Sequence, residues 1–66
     1  MNVQFSPARL RELRLAQGIT QQDVADRTGC SRRTYINWER GVIDPRIHAL
    51  GPLAHALDIT LGELFV

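Results

Sequence analysis

Residues 21–40 read QQDVADRTGCSRRTYINWER, and their pattern is the strongest indication of the architecture. The composition of Gln21–Thr28 favours a helix, and Gly29-Cys30 is a turn signal. Ser31 can cap a second helix that runs to about Arg40, because its hydroxyl can accept a hydrogen bond from a free backbone N–H group. Gly41 suits the end of that helix. The stretch therefore predicts two short helices joined by a tight turn.

The second predicted helix has two different faces. At about 100° per residue, Tyr35 and Trp38 fall beside Ser31. The residues that fall on the far side are Arg33, Ile36, Asn37 and Arg40. One face is thus bulky and apolar, whereas the other is cationic and able to form hydrogen bonds.

This pattern resembles the helix-turn-helix of the phage repressor and Cro family, and the resemblance extends over nearly all of the 66 residues. The flanking segments RELRLAQGITQQDVA and WERG, the latter followed by Pro45, match the family as well. The resemblance implies an all-α, five-helix, lambda-repressor-like bundle with its helix-turn-helix at about residues 21–40. It also implies structural roles for Ala25 at the helix crossing, Gly29 at a positive φ, and Tyr35 and Trp38 in the core. An ordinary helical hairpin would leave unexplained an Arg-rich outer face without Glu at helical spacing.

The length and composition indicate a single domain, residues 1–66, of which residues 1–4 are expected to be loosely held. A domain of this size buries only about 60% of the surface that its unfolded chain exposes. The single cysteine excludes an internal disulfide, and no apolar run approaches the roughly 18 residues of a membrane span. With no signal-peptide pattern, we expect a cytoplasmic protein without membrane contact.

No pattern typical of an enzyme or of a cofactor site occurs in the sequence. Cys30 has no CxxC partner, and His48 and His55 lack carboxylates at ligand spacing. We therefore expect a passive thiol, two surface histidines, no metal, no cofactor and no catalysis, and no small-molecule ligand is evident.

The formal net charge of +1 hides an uneven distribution along the chain. Residues 31–46 hold four arginines against Glu39 and Asp44, whereas residues 47–66 hold only the acidic Asp58 and Glu63. All eight basic residues are arginine, which can contact guanine edges and phosphates with two hydrogen bonds. Genomic base composition can produce the same bias, so the arginine preference carries little weight.

The first helix is predicted to begin after Ser6, with Pro7 at its first position and Phe5 packing onto Leu10. Gly18 ends it, and Arg14 lies on its apolar stripe. The family resemblance implies that Arg14 pairs with Glu39 in a partly buried bridge. The alternative is a solvated arginine.

Thr20 is predicted to cap the second helix, with Asp23 in the capping-box position. Gln21 then lies at the positive end of the helix dipole, beside free N–H groups, which together make a phosphate site. In the resembled family a glutamine here contacts the DNA backbone. The alternative is an ordinary polar residue of the first turn.

The second half of the chain is predicted from its apolar spacing. Residues 42–46 form a loop near the DNA, with Ile43 returning to the core. Gly51-Pro52 predicts either a kink or a one-turn prelude to a helix starting at Pro52. Thr60 caps a last helix, and the end Leu64-Phe65-Val66 is either core or a dimer contact. The predicted core positions between these points are Ile47, Leu50, Leu53, Ala54 and Leu57.

The resemblance implies a non-enzymatic, sequence-specific transcription regulator, a repressor, that binds double-stranded DNA through the major groove. The predicted base contacts are Arg32, Arg33, Ile36 and Asn37; for Ile36, a thymine methyl contact and an incidental exposed position are both open. The predicted phosphate contacts are Gln21, Ser31, Thr34, Arg40 and Arg46; for Arg46 a solvated side chain is the alternative.

We expect a homodimer on a near-palindromic operator, and whether it forms before or only on DNA stays open. The rival is a protein-interaction module of the same fold, an antitoxin or adaptor subunit, with secondary DNA binding. The operator sequence and the identity of any effector are not readable from the residues.

Overall fold

The structure is a computed structural model that describes residues 3–66. It contains four α-helices followed by one short 3-10 helix. The α-helices are α1 (Pro7–Ala16), α2 (Gln21–Thr28), α3 (Arg32–Arg40) and α4 (Ile47–Ala56), and the 3-10 helix is Leu61–Leu64. The all-α architecture is confirmed.

The prediction of a fifth α-helix is wrong, because the last helical segment is a four-residue 3-10 helix. The Thr60 N–H donates to the Glu63 carboxylate, as a capping box requires, yet the segment stops after one turn. Phe65 is already extended and pairs with Phe5 in an antiparallel bridge. The chain therefore leaves the helix to pair with the segment before α1.

The predicted N-caps of the first three helices are confirmed. Ser6, Thr20 and Ser31 each accept a backbone N–H three residues ahead, at 3.0–3.1 Å. At Thr20 the box is reciprocal, since its own N–H donates to Asp23 at 3.0 Å. These bonds satisfy donors that a helix start would otherwise leave unpaired.

The hydrophobic core lies where α1, α2, α3 and α4 meet. Its largest fully buried side chains are those of Tyr35, Leu10, Leu53, Leu57, Leu64 and Val24. Fully burying one leucine-sized side chain stabilises a fold by about 1.5–3 kcal/mol. Leu64 thus belongs to the core and Phe65 is half-buried against it, whereas Val66 is exposed.

Helix α4 runs as one helix from Ile47 to Ala56 with Pro52 inside it, which contradicts one of the two predicted alternatives, whereas a kink at Gly51-Pro52 stays a prediction. A helix starting at Pro52 is therefore wrong. Pro52 is only the sixth residue of α4, and it is exposed. It has no N–H to donate to the carbonyl of His48, but that carbonyl belongs to the exposed first turn of the helix. Water can satisfy that carbonyl, which lowers the cost of the missing hydrogen bond.

Three predicted core residues lie outside the core, and one of them, Leu50, is half-buried. The side chain of Ile47 is 87% exposed, and that of Ile43 is 49% exposed. On a helical wheel Ile47 lies about 100° from the centre of the face formed by Leu53 and Leu57. It therefore projects from the start of α4 instead of packing beneath it.

The two ends of the described chain are held together. The N–H of Gln4 donates to the carbonyl of Val66, and the N–H of Val66 donates to the carbonyl of Gln4, each at 3.0 Å. The rings of Phe5 and Phe65 meet edge to face with centroids 6.3 Å apart. Of residues 1–4, expected to be loosely held, residues 1–2 lie outside the described part.

Within residues 3–66, no helix is long and apolar enough to cross a membrane.

Candidate nucleic-acid interface

The turn between α2 and α3 is closed by backbone hydrogen bonds and one glycine. The N–H groups of Gly29 and Cys30 both donate to the carbonyl of Ala25, at 2.9 and 3.0 Å. Gly29 has φ +86°, a conformation that a residue with a Cβ adopts only with strain. Ala25 is fully buried, so there is little room for a larger side chain where the helices meet. The turn therefore fixes the direction of α3 relative to α2.

The inward face of α3 carries two aromatic side chains. Tyr35 is fully buried and Trp38 nearly so, and their rings meet edge to face at 6.1 Å. This packing fixes the rotation of α3 about its own axis. The opposite face of α3 is consequently turned towards solvent.

The outward face of α3 forms one shallow depression. Its lining consists of Arg32, Arg33, Ile36, Asn37 and Arg40, so the predicted base contacts and one predicted phosphate contact lie together. The three arginines are exposed, while Ile36 and Asn37 are half-buried. Within the part of the chain that the structure describes, none of these arginines forms an ion pair. The depression therefore combines uncompensated positive charge with an amide and an apolar side chain.

A buried ion pair fixes α3 to α1. Arg14 donates through Nε to Glu39 Oε2 at 2.6 Å and through Nη2 to Oε1 at 3.2 Å. The side chain of Glu39 is only 3% exposed and that of Arg14 only 10%. The pairing expected from the family resemblance is present, and it is bidentate, the strongest geometry for such a pair.

Three further groups form hydrogen bonds with this ion pair: Gln21, Tyr35 and the Ile19 carbonyl. Together with Arg14 and Glu39 they make up what we call the Glu39 network. Gln21 Nε2 donates to Glu39 Oε1 at 3.2 Å, and the Tyr35 hydroxyl donates to Glu39 Oε2. Arg14 Nη1 donates to the carbonyl of Ile19 at 3.0 Å. The network joins α1, the turn before α2, α2 and α3 around one carboxylate.

The network sets the charge state of its members. Burial alone would raise the pKa of Glu39, but the hydrogen bonds from Arg14, Tyr35 and Gln21 outweigh it and lower that pKa. The hydrogen bond to Glu39 raises the pKa of Arg14. Burial, and then the bond to Glu39, raise the pKa of Tyr35. At neutral pH the carboxylate and guanidinium are therefore charged and the phenol is protonated.

Apart from Arg40, which lies in the depression on α3, the predicted phosphate contacts occupy three different places. Gln21 is half-buried and lines a depression at the start of α2 together with Arg32. The Ser31 hydroxyl caps α3 and donates to Thr34 Oγ1 at 2.9 Å. Arg46 is exposed at the N-terminus of α4, and it lines a separate cavity that Thr34 also borders. These residues surround α3 instead of lying only on it.

The sequence analysis did not predict that the two neutral side chains of the Glu39 network, those of Tyr35 and Gln21, contact Glu39. The spacing of Tyr35 and Glu39, four residues apart on one helix, was the available signal, since such residues are neighbours on a helix surface. No comparable signal existed for Gln21, because its contact with Glu39 depends on how α2 crosses α3.

Comparison with known proteins agrees with this geometry. The chain is 28% identical over 57 residues to the cryptic phage CTXphi transcriptional repressor RstR of Vibrio cholerae, covering 86% of this chain and 51% of RstR. It therefore spans about half the length of that relative.

Two solved structures superpose closely on the fold. The restriction-modification controller protein C.AhdI from Aeromonas hydrophila matches with a TM-score of 0.86 and 41% identity, covering 89% of both chains. The DNA-binding domain of the P22 c2 repressor matches with a TM-score of 0.87 and 30% identity, covering 97% of this chain and 84% of that domain. Residues 10–64, which include all four network side chains and the whole of α2, α3 and α4, match the model of the helix-turn-helix family, and the chain belongs to that family.

Proposed function

We propose that this chain is a sequence-specific DNA-binding transcription regulator, a repressor, that inserts α3 into the major groove of its operator. The observation that carries the proposal is the outward face of α3, where three exposed arginines without ion-pair partners among residues 3–66 surround Asn37 and Ile36. The relatives named above as repressors support the same function, and their names describe regulators instead of enzymes.

The side chains of this depression match the edges of base pairs. Arginine can donate two hydrogen bonds to the O6 and N7 atoms of guanine, and asparagine can pair with N6 and N7 of adenine. We assign these roles to Arg32, Arg33 and Asn37. Ile36 lies between them and offers an apolar contact to a thymine methyl group. Each good bidentate contact discriminates against a wrong base by about 1–3 kcal/mol.

The groups around α3 suit contacts to the two flanking phosphate strands. Gln21 at the start of α2 lies beside free backbone N–H groups and the positive helix end, which favour an anion. Ser31, Thr34, Arg40 and Arg46 supply further donors, and such contacts set orientation and affinity without reading sequence. The Glu39 network holds the Gln21 side chain, so α2 and α3 would meet the DNA as one rigid unit.

A homodimer on a near-palindromic operator completes the proposal. One small module buries only about 600–1,000 Å² on DNA, and a second copy doubles the sequence that is read. Val42 and Ile43, which follow α3, are both exposed apolar side chains next to the proposed interface. They provide a candidate contact between two copies near the DNA.

Selection of bound sequences from random duplex DNA tests the function directly. We expect enrichment of a near-palindromic motif that binds at least a thousandfold more tightly than random DNA, the lower end for specific regulators. Recovery of no common motif, with weak and uniform binding, would reject the function. It would favour the protein-interaction module that the same fold also permits.

A further inference from the structure

A cavity of about 450 Å³ lies beside the helix-turn-helix, next to the outward face of α3, and it shares Thr34 and Arg46 with the residues assigned to phosphate. The end of α2, the inner side of α3 and the start of α4 form its walls, to which Trp38, Ile43 and Ala49 contribute apolar surface. Ligand sites in proteins commonly have volumes of about 300–1,000 Å³ and mostly apolar walls with a few polar groups. The size and lining of this cavity therefore suit a small molecule.

Two charged side chains border the cavity. They are Asp44 and Arg46, both exposed, and neither forms an ion pair in the described chain. The cavity thus offers one anionic group and one cationic group beside an apolar wall.

We propose that this cavity binds a small zwitterion with an apolar side group, an apolar α-amino acid being the simplest example. Its ammonium group contacts Asp44, its carboxylate contacts Arg46, and its side group packs against Trp38 and Ala49. A carboxylate hydrogen-bonded to a guanidinium is a strong pairing, and each charge at the rim has its complement.

Binding there would lower operator affinity. This effect rests on the proposed function, in which Arg46 contacts phosphate, because an arginine held by a ligand carboxylate is less available to DNA. The coupling is reciprocal, so operator DNA would weaken amino-acid binding by the same factor.

Trp38 reports binding without DNA, because it is the only tryptophan of the chain and lines the cavity. The probes are L-phenylalanine, L-leucine and two single-charge analogues of phenylalanine, 3-phenylpropionate and 2-phenylethylamine. At millimolar concentrations we expect a saturable change in Trp38 fluorescence with both amino acids and about tenfold weaker binding of each analogue, which lacks one charged contact.

Variants separate the cavity from nonspecific effects. Asp44→Asn should weaken the binding of phenylalanine and phenylethylamine about tenfold and leave phenylpropionate unchanged, whereas Asp26→Asn, on the exposed face of α2, should change none. Ala49→Leu, which fills the cavity, should abolish binding.

No saturable signal with either amino acid, or binding that survives Ala49→Leu, would overturn the proposal. So would equal affinity for the zwitterions and both analogues. If the protein binds the amino acids but no operator, the cavity proposal stands and the proposed function is rejected. If it binds an operator but no amino acid, the proposed function stands and the cavity proposal is rejected.

Discussion

The side chains of α3 divide between those that hold the helix and those that face away from the protein. Arg33 belongs to the second group. Arg33→Ala should cost about 1–3 kcal/mol against the operator and flatten the preference at one base position, because a bidentate base contact is lost. Binding isotherms on the selected operator and on its single-base variants measure both effects.

Arg46→Ala should behave differently, since a phosphate contact carries no sequence information. It should weaken binding to every sequence alike. It should also reduce the slope of the logarithm of affinity against the logarithm of salt concentration by about one. Arg11→Ala, which removes an exposed arginine of α1, is the charge-matched control and should change neither quantity. An equal loss of cognate and random binding in Arg33→Ala would contradict its assignment to a base.

Glu39 belongs to the group that holds the helix, and its role depends on pH. Removing one partner of a buried ion pair costs about 3–5 kcal/mol, because the other charge stays buried and unpaired. Glu39→Gln should therefore lower the free energy of unfolding by that amount at pH 7. The folded protein lowers the pKa of Glu39, so its contribution is complete above the ordinary value of 4.5 and is lost as the pH falls through the lower folded-state pKa.

The difference between wild type and Glu39→Gln should consequently shrink in acid, as urea unfolding at several pH values would measure. Glu12→Gln is the matched control. Glu12 is 66% exposed and lies 3.9 Å from Arg9, so its removal should cost less than about 1 kcal/mol. A Glu39→Gln curve that overlaps wild type at pH 7 would mean that the network does not stabilise the fold.

At the scale of helices and turns, the predictions from the sequence were correct where a feature depends on residues that are close together in the chain. The caps at Ser6, Thr20 and Ser31 and the positive φ of Gly29 were predictable because each depends on a few neighbouring residues. The 3-10 helix was not, since Phe65 leaves it to pair with a segment sixty residues earlier. The exposure of Ile47 also depends on tertiary packing, because α4 turns the face that carries Leu53 and Ala54 into the core.

Helix α4 keeps a proline at its sixth position, and this is testable. Pro52→Ala would restore a donor for the His48 carbonyl and remove the ring, while the unfolded chain would gain conformational entropy of about 0.4–1 kcal/mol. An interior proline costs about 3 kcal/mol relative to alanine, so we expect a net stabilisation of about 1 kcal/mol or more. The midpoint of urea unfolding measures this.

Pro45→Ala provides the contrast, because Pro45 is buried in the loop before α4 and lies outside any helix. That change should lower stability through lost packing. If Pro52→Ala also lowers stability, Pro52 stabilises α4, and the expectation that it costs free energy there is wrong.

The whole molecule is expected to act in pairs. Two copies on a full operator should place their α3 helices about 34 Å apart, one turn of the duplex, and bind cooperatively. Sedimentation with the full operator should find two chains, and with an isolated half-site one chain bound weakly. Specific one-to-one binding to the half-site, with no gain from the second half, would show a monomeric regulator.

Val42 tests where the copies meet. Val42→Glu should abolish cooperativity but leave half-site affinity nearly unchanged, because it places charge in an apolar contact outside the residues assigned to DNA. Leu15→Glu, on an equally exposed apolar residue of α1, should leave cooperativity intact. The sequence analysis predicted residues 42–46 as a loop near the DNA, but the geometry of a pair could not be predicted from one chain.

The two backbone hydrogen bonds between Gln4 and Val66 bring residues from opposite ends of the described chain next to each other. Because Gln4 and Val66 lie within hydrogen-bonding distance, a short peptide could join these two residues, and the chain could be opened at the exposed turn around Gly18. The order of helices along the chain would then be rotated, with α2 and α3 first and α1 last, while every helix kept its neighbours. The arrangement of this domain thus depends on which helix surfaces are in contact, and the order of the helices along the chain is secondary.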